Sequence, residues 1–440
     1  MLVNFKIKNY RSFCDEVNFS MLAVPNKEYA DTNVFCVDEK ILKKGENELL
    51  KSALIYGANA SGKTNILKAM KFMRELVLID VKAQSAGRIV PVIEVNEPFS
   101  FYDFLGGTPT VLEMDFISNG IFYSYGLEIV NKQIIKEVLY KREERLTLVF
   151  KRENNKTGAK VTIVGLETRL RPLFNKLFDK LSDKKLFLSI ASTLSLPFSQ
   201  DLECVVDWFR KLTIVTDDDS NGFEVYSQEE NRYRDRALRI LQNADFGVKS
   251  FSVTKNYNPD EVEIRTPYIQ NQFGYDSQGE YALDLETAFA VYDKDMQKVG
   301  EKKVLLNKDF GFHSDGTYRL MCFLGHILKV LDKGEVLLID EIDSKLHFLV
   351  VDFILGLFNS KEENPNNAQL ICTTHNVMLM DRQMRRDQIY FTVKDKYGNS
   401  AIDSLIDFKE VKRNELFSKK YLAGFYTRVP GIRRGRHFET

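Results

Sequence analysis

The chain has 440 residues, of which 44% are hydrophobic and 28% charged, a composition typical of a folded globular protein and not of a disordered one. Lys+Arg and Asp+Glu balance at 62 each, so the chain as a whole is not attracted to polyanions, and a nucleic-acid contact would need a local patch. This length exceeds one compact core and predicts two or so structural units, or one core with a large insertion.

The cysteines and the apolar segments limit where the protein is expected to act. The five cysteines never approach CxxC spacing, so neither a disulfide framework nor a zinc site is predicted. No apolar run reaches the roughly 20 residues needed to span a bilayer, and the N-terminus has no signal-peptide core. We therefore expect a cytoplasmic protein without a membrane contact.

The first predicted elements are strands. Apolar and polar residues alternate in "VNFKIK" and again in "VNFSML" (17–22), which predicts a two-stranded ribbon at the start of the chain. The next apolar run, "LKSALIYG", predicts a buried strand. Behind it, Ile66, Met70 and Met73 recur at helical spacing and predict a helix.

The segment "GANASGKTN" (57–65) lies between this strand and helix and fits the pattern GxxxxGK[ST]. In such a loop the glycines let backbone N–H groups surround phosphate oxygens at a helix N-terminus. Lys63 is expected to reach the β- and γ-phosphates and Thr64 to bind Mg²⁺. A chance match is disfavoured by the flanking strand and helix. The predicted nucleotide contacts in this loop are Gly57, Ala58, Asn59, Ala60, Ser61, Gly62, Lys63, Thr64 and Asn65.

The middle of the chain predicts a β meander followed by helices. Two alternating runs meet at Asn119-Gly120, which predicts a hairpin, and the meander continues through "VLYKREERLTLVFKRE". The pattern is mainly helical over about 166–250, and short strands return over 250–310. Sustained heptads are absent, so a compact lid is expected and not a coiled-coil arm. The amphipathic segment "RLRPLFNKLFDKL" either packs on its own head or contacts a partner.

Two later strands end in candidate catalytic side chains. "EVLLIDEID" predicts a strand followed by Asp340, expected to hold the magnesium site, and Glu341, placed to polarise the attacking water. "QLICTTHN" brings His375 to the end of another strand, where ligands bind in parallel sheets. A lone histidine is more often structural, but this order of motifs favours a functional role for His375.

Between the loop and the acids, "FHSDGTYRLMCFLGHIL" predicts a helix that begins near Ser314 and Gly316. A serine at this place is commonly a plain N-cap. The same helix end also offers a hydroxyl and free N–H groups to a negative ligand.

In this order, "GANASGKT", "HSDGT", "LLIDE", "SKLH" and "TTHN" resemble the motifs of ABC-type ATPase heads of the SMC, RecF and break-repair group. The opening "FKIKNYRSF" resembles the first strand of that group, whose Arg-Ser positions, here Arg11 and Ser12, lie near the nucleotide. The resemblance implies that ATP and Mg²⁺ bind and that ATP is hydrolysed to ADP and phosphate. It also implies a homodimer or larger homo-oligomer in which Ser314 and Gly316 of one head contact the γ-phosphate held by Lys63 of the other.

Within this group, "SDGTYRL", "DEIDSKLH" and "YLAGFYTRVPGI" resemble the RloA and AbiL type of abortive-infection ATPases, relatives of the ATPase subunits of PARIS and Septu. This resemblance covers residues 1 to about 90 and 300–432. It implies an antiphage ATPase subunit that controls a separate, operon-encoded effector, a toxin or a nuclease. A nucleic acid or a phage protein would be the trigger.

The predicted fold class is therefore α/β: an ABC-ATPase head with a P-loop core and an antiparallel β subdomain, split by a mainly helical insertion. The predicted parts are the first half of the head (1–165), the insertion (166–300), the second half of the head (301–410) and an Arg-rich tail (411–440).

Two other functions and several roles for the tail stay open. A RecF- or SMC-like DNA repair ATPase is the main alternative function. An ABC transporter subunit is disfavoured by the SxGT pattern of the "HSDGT" motif and by the insertion. The tail could touch phosphates, dock a partner or stay solvated.

Overall fold

The computed structural model describes residues 1–43, 45–83, 92–155, 158–164, 182–191, 199–216, 221–227, 232–243, 248–256, 282–305, 314–408 and 415–426. The amphipathic segment at 169–181 and the Arg-rich part of the tail from residue 427 lie outside these residues. By their internal contacts the residues form two compact units: the first is Met1–Ile214, Gly334–Ile342 and Leu355–Thr440, and the second is Val215–Lys333 and Asp343–Ile354. The four-part division expected from the sequence stays a prediction.

Strands and helices both occur along most of the described chain. The strands are β1 (Leu2–Lys8), β2 (Val17–Ser20), β3 (Val34–Cys36), β4 (Glu48–Leu50), β5 (Ser52–Gly57), β6 (Thr110–Ser118), β7 (Ile121–Val130), β8 (Gln133–Arg142), β9 (Leu146–Asn155), β10 (Gly158–Ile163), β11 (Thr213–Val215), β12 (Ser250–Asn256), β13 (Ala282–Tyr292), β14 (Lys298–Leu305), β15 (Val336–Ile339), β16 (Gln369–Thr373), β17 (Ile389–Lys394) and β18 (Ser400–Ser404). The helices are α1 (Lys63–Ala83), α2 (Phe187–Ala191), α3 (Ser199–Lys211), α4 (Glu224–Ser227), α5 (Arg232–Asn243), α6 (Asp315–Lys333), α7 (Phe348–Asn359) and α8 (Phe417–Leu422). Short 3₁₀ helices occur at Val92–Val95, Asp103–Leu105, Asn221–Phe223, Val377–Asp381, Arg386–Gln388 and Leu405–Asp407.

The first unit contains an antiparallel sheet whose described strands lie in the order β10-β9-β8-β7-β6-β1-β2. The predicted hairpin is confirmed, because Ser118 pairs with Ile121 across Asn119-Gly120. Both turn residues have positive φ angles, 49° and 76°, as the common two-residue hairpin turn requires. The predicted ribbon is present as the pair β1–β2, joined to the meander through β6.

A second, mostly parallel sheet has the order β11-β15-β16-β5-β17-β18. Strand β5 is buried along its whole length, as expected for a central strand covered on both faces. Strands β15, β16 and β17 run parallel to it or to each other, and β18 returns antiparallel along β17. The predicted α/β fold class, with a P-loop-type core sheet and an antiparallel β subdomain, is confirmed.

Helix α1 is part of one core shared by both sheets. Ile66, Met70, Met73 and Val77 are fully buried at helical spacing, so the predicted helix behind the glycine loop is confirmed. The same core includes Phe116 of β6, which stacks on Trp208 with ring centroids 4.2 Å apart. Burial of this continuous apolar surface holds the start of α1 in a defined position.

The second unit contains the antiparallel sheet β12-β13-β14 and the helix α6. Gly325 of α6 allows a very close approach of the Gly222 backbone, since a Cβ on Gly325 would lie 2.0 Å from the Gly222 carbonyl oxygen. The Tyr226 hydroxyl donates a hydrogen bond to the Met321 carbonyl of the same helix. Among the helices that the structure describes, none has the length and apolar character needed to cross a membrane.

Candidate nucleotide site

The glycine loop between β5 and α1 has the backbone conformation of an anion cradle. Gly57, Ala60 and Gly62 have φ angles of 155°, 62° and 112°, so three of its residues lie in or near the left-handed region. Such a loop turns successive N–H groups toward one point at the helix N-terminus. The Lys63 ammonium donates hydrogen bonds to the carbonyls of Gly57 (2.9 Å) and Ala58 (3.2 Å), so its charge lies over the loop.

Both glycines of the loop are required by close contacts. A Cβ on Gly57 would lie 2.4 Å from Thr392 Oγ1. On Gly62 it would lie 2.8 Å from Ser400 Oγ and 2.9 Å from Ser12 Oγ. These distances are well inside van der Waals contact, so a side chain at either position would displace the loop or the hydroxyls around it.

Hydroxyl groups from distant segments hold the loop. Ser61 Oγ and Thr392 Oγ1 are 2.6 Å apart, and Ser400 Oγ donates to the Ser61 carbonyl at 2.7 Å. The Asn65 amide donates to Ser12 Oγ at 2.8 Å. The structure thus places Ser12 next to the loop and adds Thr392 and Ser400, which the sequence did not indicate. A contact between Ser12 and a nucleotide stays a prediction.

Arg11 precedes Ser12 and is paired with a carboxylate. The Arg11 guanidinium lies 3.2 Å from the Glu97 carboxylate, and the backbone N–H of Arg11 donates to the Glu97 carbonyl at 2.7 Å. The residue has a φ of 51°, so the backbone turns between β1 and Ser12. A contact between Arg11 and a nucleotide stays a prediction.

The first acid after β15 contacts the phosphate loop directly. Thr64 Oγ1 donates to Asp340 Oδ1 at 3.1 Å, and the same carboxylate oxygen accepts a 2.6 Å hydrogen bond from Thr373 Oγ1. Thr64 and Asp340 are partly exposed, whereas Thr373 is fully buried. A hydroxyl and a carboxylate that meet in this way are the oxygen donors that Mg²⁺ takes from a protein when substrate phosphates complete its shell.

Glu341 has an unusual backbone conformation. Its φ angle is 49°, in the left-handed region that residues with a side chain rarely adopt. Its N–H donates to Thr373 Oγ1 at 2.7 Å, and the next N–H, of Ile342, donates to the Thr373 carbonyl at 3.1 Å. The Glu341 side chain is partly exposed, so it is accessible to a water molecule.

His375 follows β16 by two residues, at the same edge of the sheet as the acids. It is exposed, and the segment around it is fixed by the Thr374 N–H, which donates to the Ile55 carbonyl at 3.2 Å. Asn376 caps the following 3₁₀ helix through a hydrogen bond from the Met378 N–H. The strand end predicted to carry His375 is therefore present, and its catalytic role stays a prediction.

Ser314 and Gly316, the residues of the "HSDGT" motif that are expected to contact a partner's nucleotide, lie in the second unit. Ser314 Oγ accepts the Thr317 N–H at 3.1 Å, which makes this exposed serine the N-cap of α6. A Cβ on Gly316 would lie 2.6 Å from the Lys345 carbonyl oxygen, so this turn of the helix needs a glycine. Lys345 also pairs with Asp315 at 3.0 Å. The structural role expected of Ser314 is thus observed, and a second role toward a partner's nucleotide stays a prediction.

The residues that the structure brings together fit ATP and Mg²⁺. The cradle is one that a Cβ at Gly57 or Gly62 would fill, and Lys63 is the cation at its rim. Thr64 and Asp340 would hold the metal. Within the described residues no group of three or more His, Cys, Asp and Glu side chains is arranged to hold a metal ion.

The chain is similar to a known protein family and to solved structures. A family model described as "AAA domain, putative AbiEii toxin, Type IV TA system" matches residues 52–381, which is 330 of the 440 residues. Among solved structures, the SMC head domain from Thermotoga maritima is similar, with 14% sequence identity and a TM-score of 0.37 over 92% of this chain and 98% of that chain. No curated protein matches the chain.

The close contacts of Gly62 generate a test of the cradle. We expect Gly62→Ala to weaken binding of a fluorescent ATP analogue with Mg²⁺ about 5-fold or more, because overpacking costs about 1–3 kcal/mol. Gly107→Ala is the matched control: Gly107 has a φ of 80°, but among the residues that the structure describes no atom lies within 4 Å of its added Cβ. That variant should bind like the wild type, and equal affinities for the two variants would contradict the cradle.

Proposed function

The chain belongs to the AAA domain family whose description names an AbiEii toxin and a type IV toxin–antitoxin system, and we propose that it is an ATP-hydrolysing subunit of an antiphage defence system. The hydrogen bond between Thr64 and Asp340 carries the ATPase part of this proposal. This bond joins the phosphate loop to Asp340, the residue next to Glu341. The groups that would bind the phosphates therefore lie beside the carboxylate that would activate the water.

The residues of the first unit divide the work as follows. Lys63 and the loop N–H groups neutralise and orient the phosphates, and Thr64 and Asp340 would hold Mg²⁺. When bound, the metal ion screens charge on the β- and γ-phosphate oxygens. Glu341 accepts a proton from the attacking water, and His375 orients groups at the γ-phosphate from the end of β16.

Two heads would complete each site. Ser314 is exposed at the N-terminus of a 19-residue helix, where N–H groups and the helix dipole favour a negative ligand. In the proposed homodimer Ser314 and Gly316 of one copy contact the γ-phosphate held by Lys63 of the other. Closure would then depend on ATP and reopening on its hydrolysis.

The defence role rests on the family and on the resemblance to abortive-infection ATPases. The family description names a toxin–antitoxin system. We propose that an operon-encoded effector, a toxin or a nuclease, binds one state of the dimer better than the other, so that ATP closure retains or releases it. Infection would be sensed through a nucleic acid or a phage protein.

The ATPase is tested by two substitutions. Lys63→Ala should lose ATP binding, because the ammonium neutralises the phosphates. Glu341→Gln should still bind ATP and hydrolyse it at least ~100-fold more slowly, the scale of losing a positioned base. Lys68→Ala, an exposed lysine on the same helix, should keep the wild-type rate. Phosphate release measures all three, and undiminished turnover by Glu341→Gln would reject the assignment.

The shared site is tested by mixing variants. Ser314→Arg should bind ATP but neither pair nor turn over, because it places bulk and charge at the partner's γ-phosphate. An equal mixture with Lys63→Ala should recover activity, at most roughly a quarter of the wild-type rate for random pairing, since each hybrid dimer has one whole site. Ser314→Ala removes the capping hydroxyl without adding bulk or charge, so its thermal stability shows how much of any loss comes from the missing cap. Normal hydrolysis by Ser314→Arg alone would exclude the shared site.

The defence role is tested with the neighbouring genes. The effector should co-purify with the wild type, and its retention should change in Glu341→Gln, which stalls before hydrolysis. Protection of cells against phage should be lost in both Lys63→Ala and Glu341→Gln. The purified chain should cleave neither DNA nor RNA with Mg²⁺ or Mn²⁺. Salt-sensitive DNA binding without an effector would instead support the repair function.

A further inference from the structure

One buried hydroxyl contacts both acids of the candidate site. Thr373 Oγ1 lies 2.6 Å from Asp340 Oδ1 and 2.7 Å from the backbone nitrogen of Glu341, and Thr373 is fully buried. It is the last residue of β16, the strand between β15 and β5. Ile339 of β15 pairs with Cys372, so the chain after Ile339 passes directly beside Thr373.

The directions of these two hydrogen bonds follow from chemistry. A carboxylate can only accept, so the Thr373 hydroxyl donates its single proton to Asp340. A backbone N–H can only donate, so the Glu341 N–H uses a lone pair of the same oxygen. A hydroxyl is the group that can do both at once, and the isosteric side chain of valine can do neither.

Each of the two hydrogen bonds restrains a different group: one the carboxylate of Asp340, the other the backbone of Glu341. Asp340 Oδ1 accepts hydrogen bonds from both Thr64 and Thr373, so the Thr373 hydroxyl adds a second, shorter restraint on the rotation of this carboxylate. Glu341 stays at φ 49°, a strained conformation for a residue with a side chain, which persists only where the surroundings hold it. A charge-assisted bond and a backbone bond from one buried group supply that restraint.

We propose that Thr373 is a positioning residue for both functions of the acidic turn: it orients Asp340 toward the metal site and holds Glu341 in the backbone conformation from which its carboxylate meets the attacking water. The inference rests on the proposed ATPase function. Outer groups that orient metal ligands typically change metal affinity or activity 10- to 100-fold when they are removed.

The first test needs no nucleotide. In ligand-free Thr373→Val, hydrogen exchange resolved to single residues should show the Glu341 amide exchanging roughly 3- to 10-fold faster, because its acceptor is gone. The Ile342 amide is an internal control, since it donates to the Thr373 carbonyl, which every variant keeps. Unchanged exchange at Glu341 would overturn the proposal whether or not the chain hydrolyses ATP.

The second test separates metal binding from turnover. In Thr373→Val the Mg²⁺ concentration that half-saturates tight binding of a fluorescent ATP analogue should rise, and kcat should fall, each about 10-fold or more. Binding of the analogue without Mg²⁺, which depends on Lys63, should stay within about twofold. At saturating Mg²⁺, which offsets the weaker metal binding, adding Thr373→Val to Glu341→Gln should lower kcat no further, because both substitutions then act through the Glu341 side chain.

Three further variants separate the role of the Thr373 hydroxyl from a general loss of stability. Thr373→Ser retains the hydroxyl and should behave like the wild type, and Thr373→Ala replaces the valine variant if that one unfolds. Thr287→Val removes another fully buried threonine hydroxyl, which donates to the Val304 carbonyl, and should leave turnover unchanged. Equal impairment of Thr373→Ser and Thr373→Val, or wild-type kinetics in Thr373→Val while Glu341→Gln is inactive, would overturn the proposal.

Discussion

Three parallel strands in register, β15, β16 and β5, determine where the phosphate loop meets the acids. Ile339 pairs with Cys372, and Thr373 pairs with Ile55, so the strands end close to one another. Because parallel strands share one carboxyl edge, the glycine loop, the acidic turn and the histidine segment leave the sheet side by side. This register brings Thr64, Asp340 and Thr373 within hydrogen-bond distance in turn, from Thr64 to Asp340 and from Asp340 to Thr373.

The site concentrates backbone strain, and buried hydroxyls restrain it. Ala60 and Glu341 carry side chains at φ angles of 62° and 49°, each a conformation of order 1–3 kcal/mol above the common regions. Ser61 and Thr392 restrain the loop, and Thr373 restrains the acidic turn. In a preorganised site of this kind, the polar groups need little further movement when charge develops in a transition state.

Local elements could be predicted from the sequence because their signals are local. The hairpin at Asn119-Gly120, the helix after the glycine loop and the strand before Asp340 each depend on a few neighbouring residues. The hydroxyls of Thr392 and Ser400 could not be predicted, since they reach Ser61 across 331 and 339 residues of sequence. The close approach of a carbonyl to Gly316 likewise becomes visible only when Lys345 is placed.

The acidic turn is also the last part of the first unit before the chain passes to the second, between Ile342 and Asp343. Two consecutive backbone N–H groups form hydrogen bonds to Thr373 at this point. The Glu341 N–H donates to its hydroxyl and the Ile342 N–H donates to its carbonyl. Both hydrogen bonds therefore lie along the chain between residue 343 and Asp340. Thr373 therefore anchors this part of the chain twice, through its side-chain hydroxyl and through its backbone carbonyl, and only the hydroxyl also reaches Asp340.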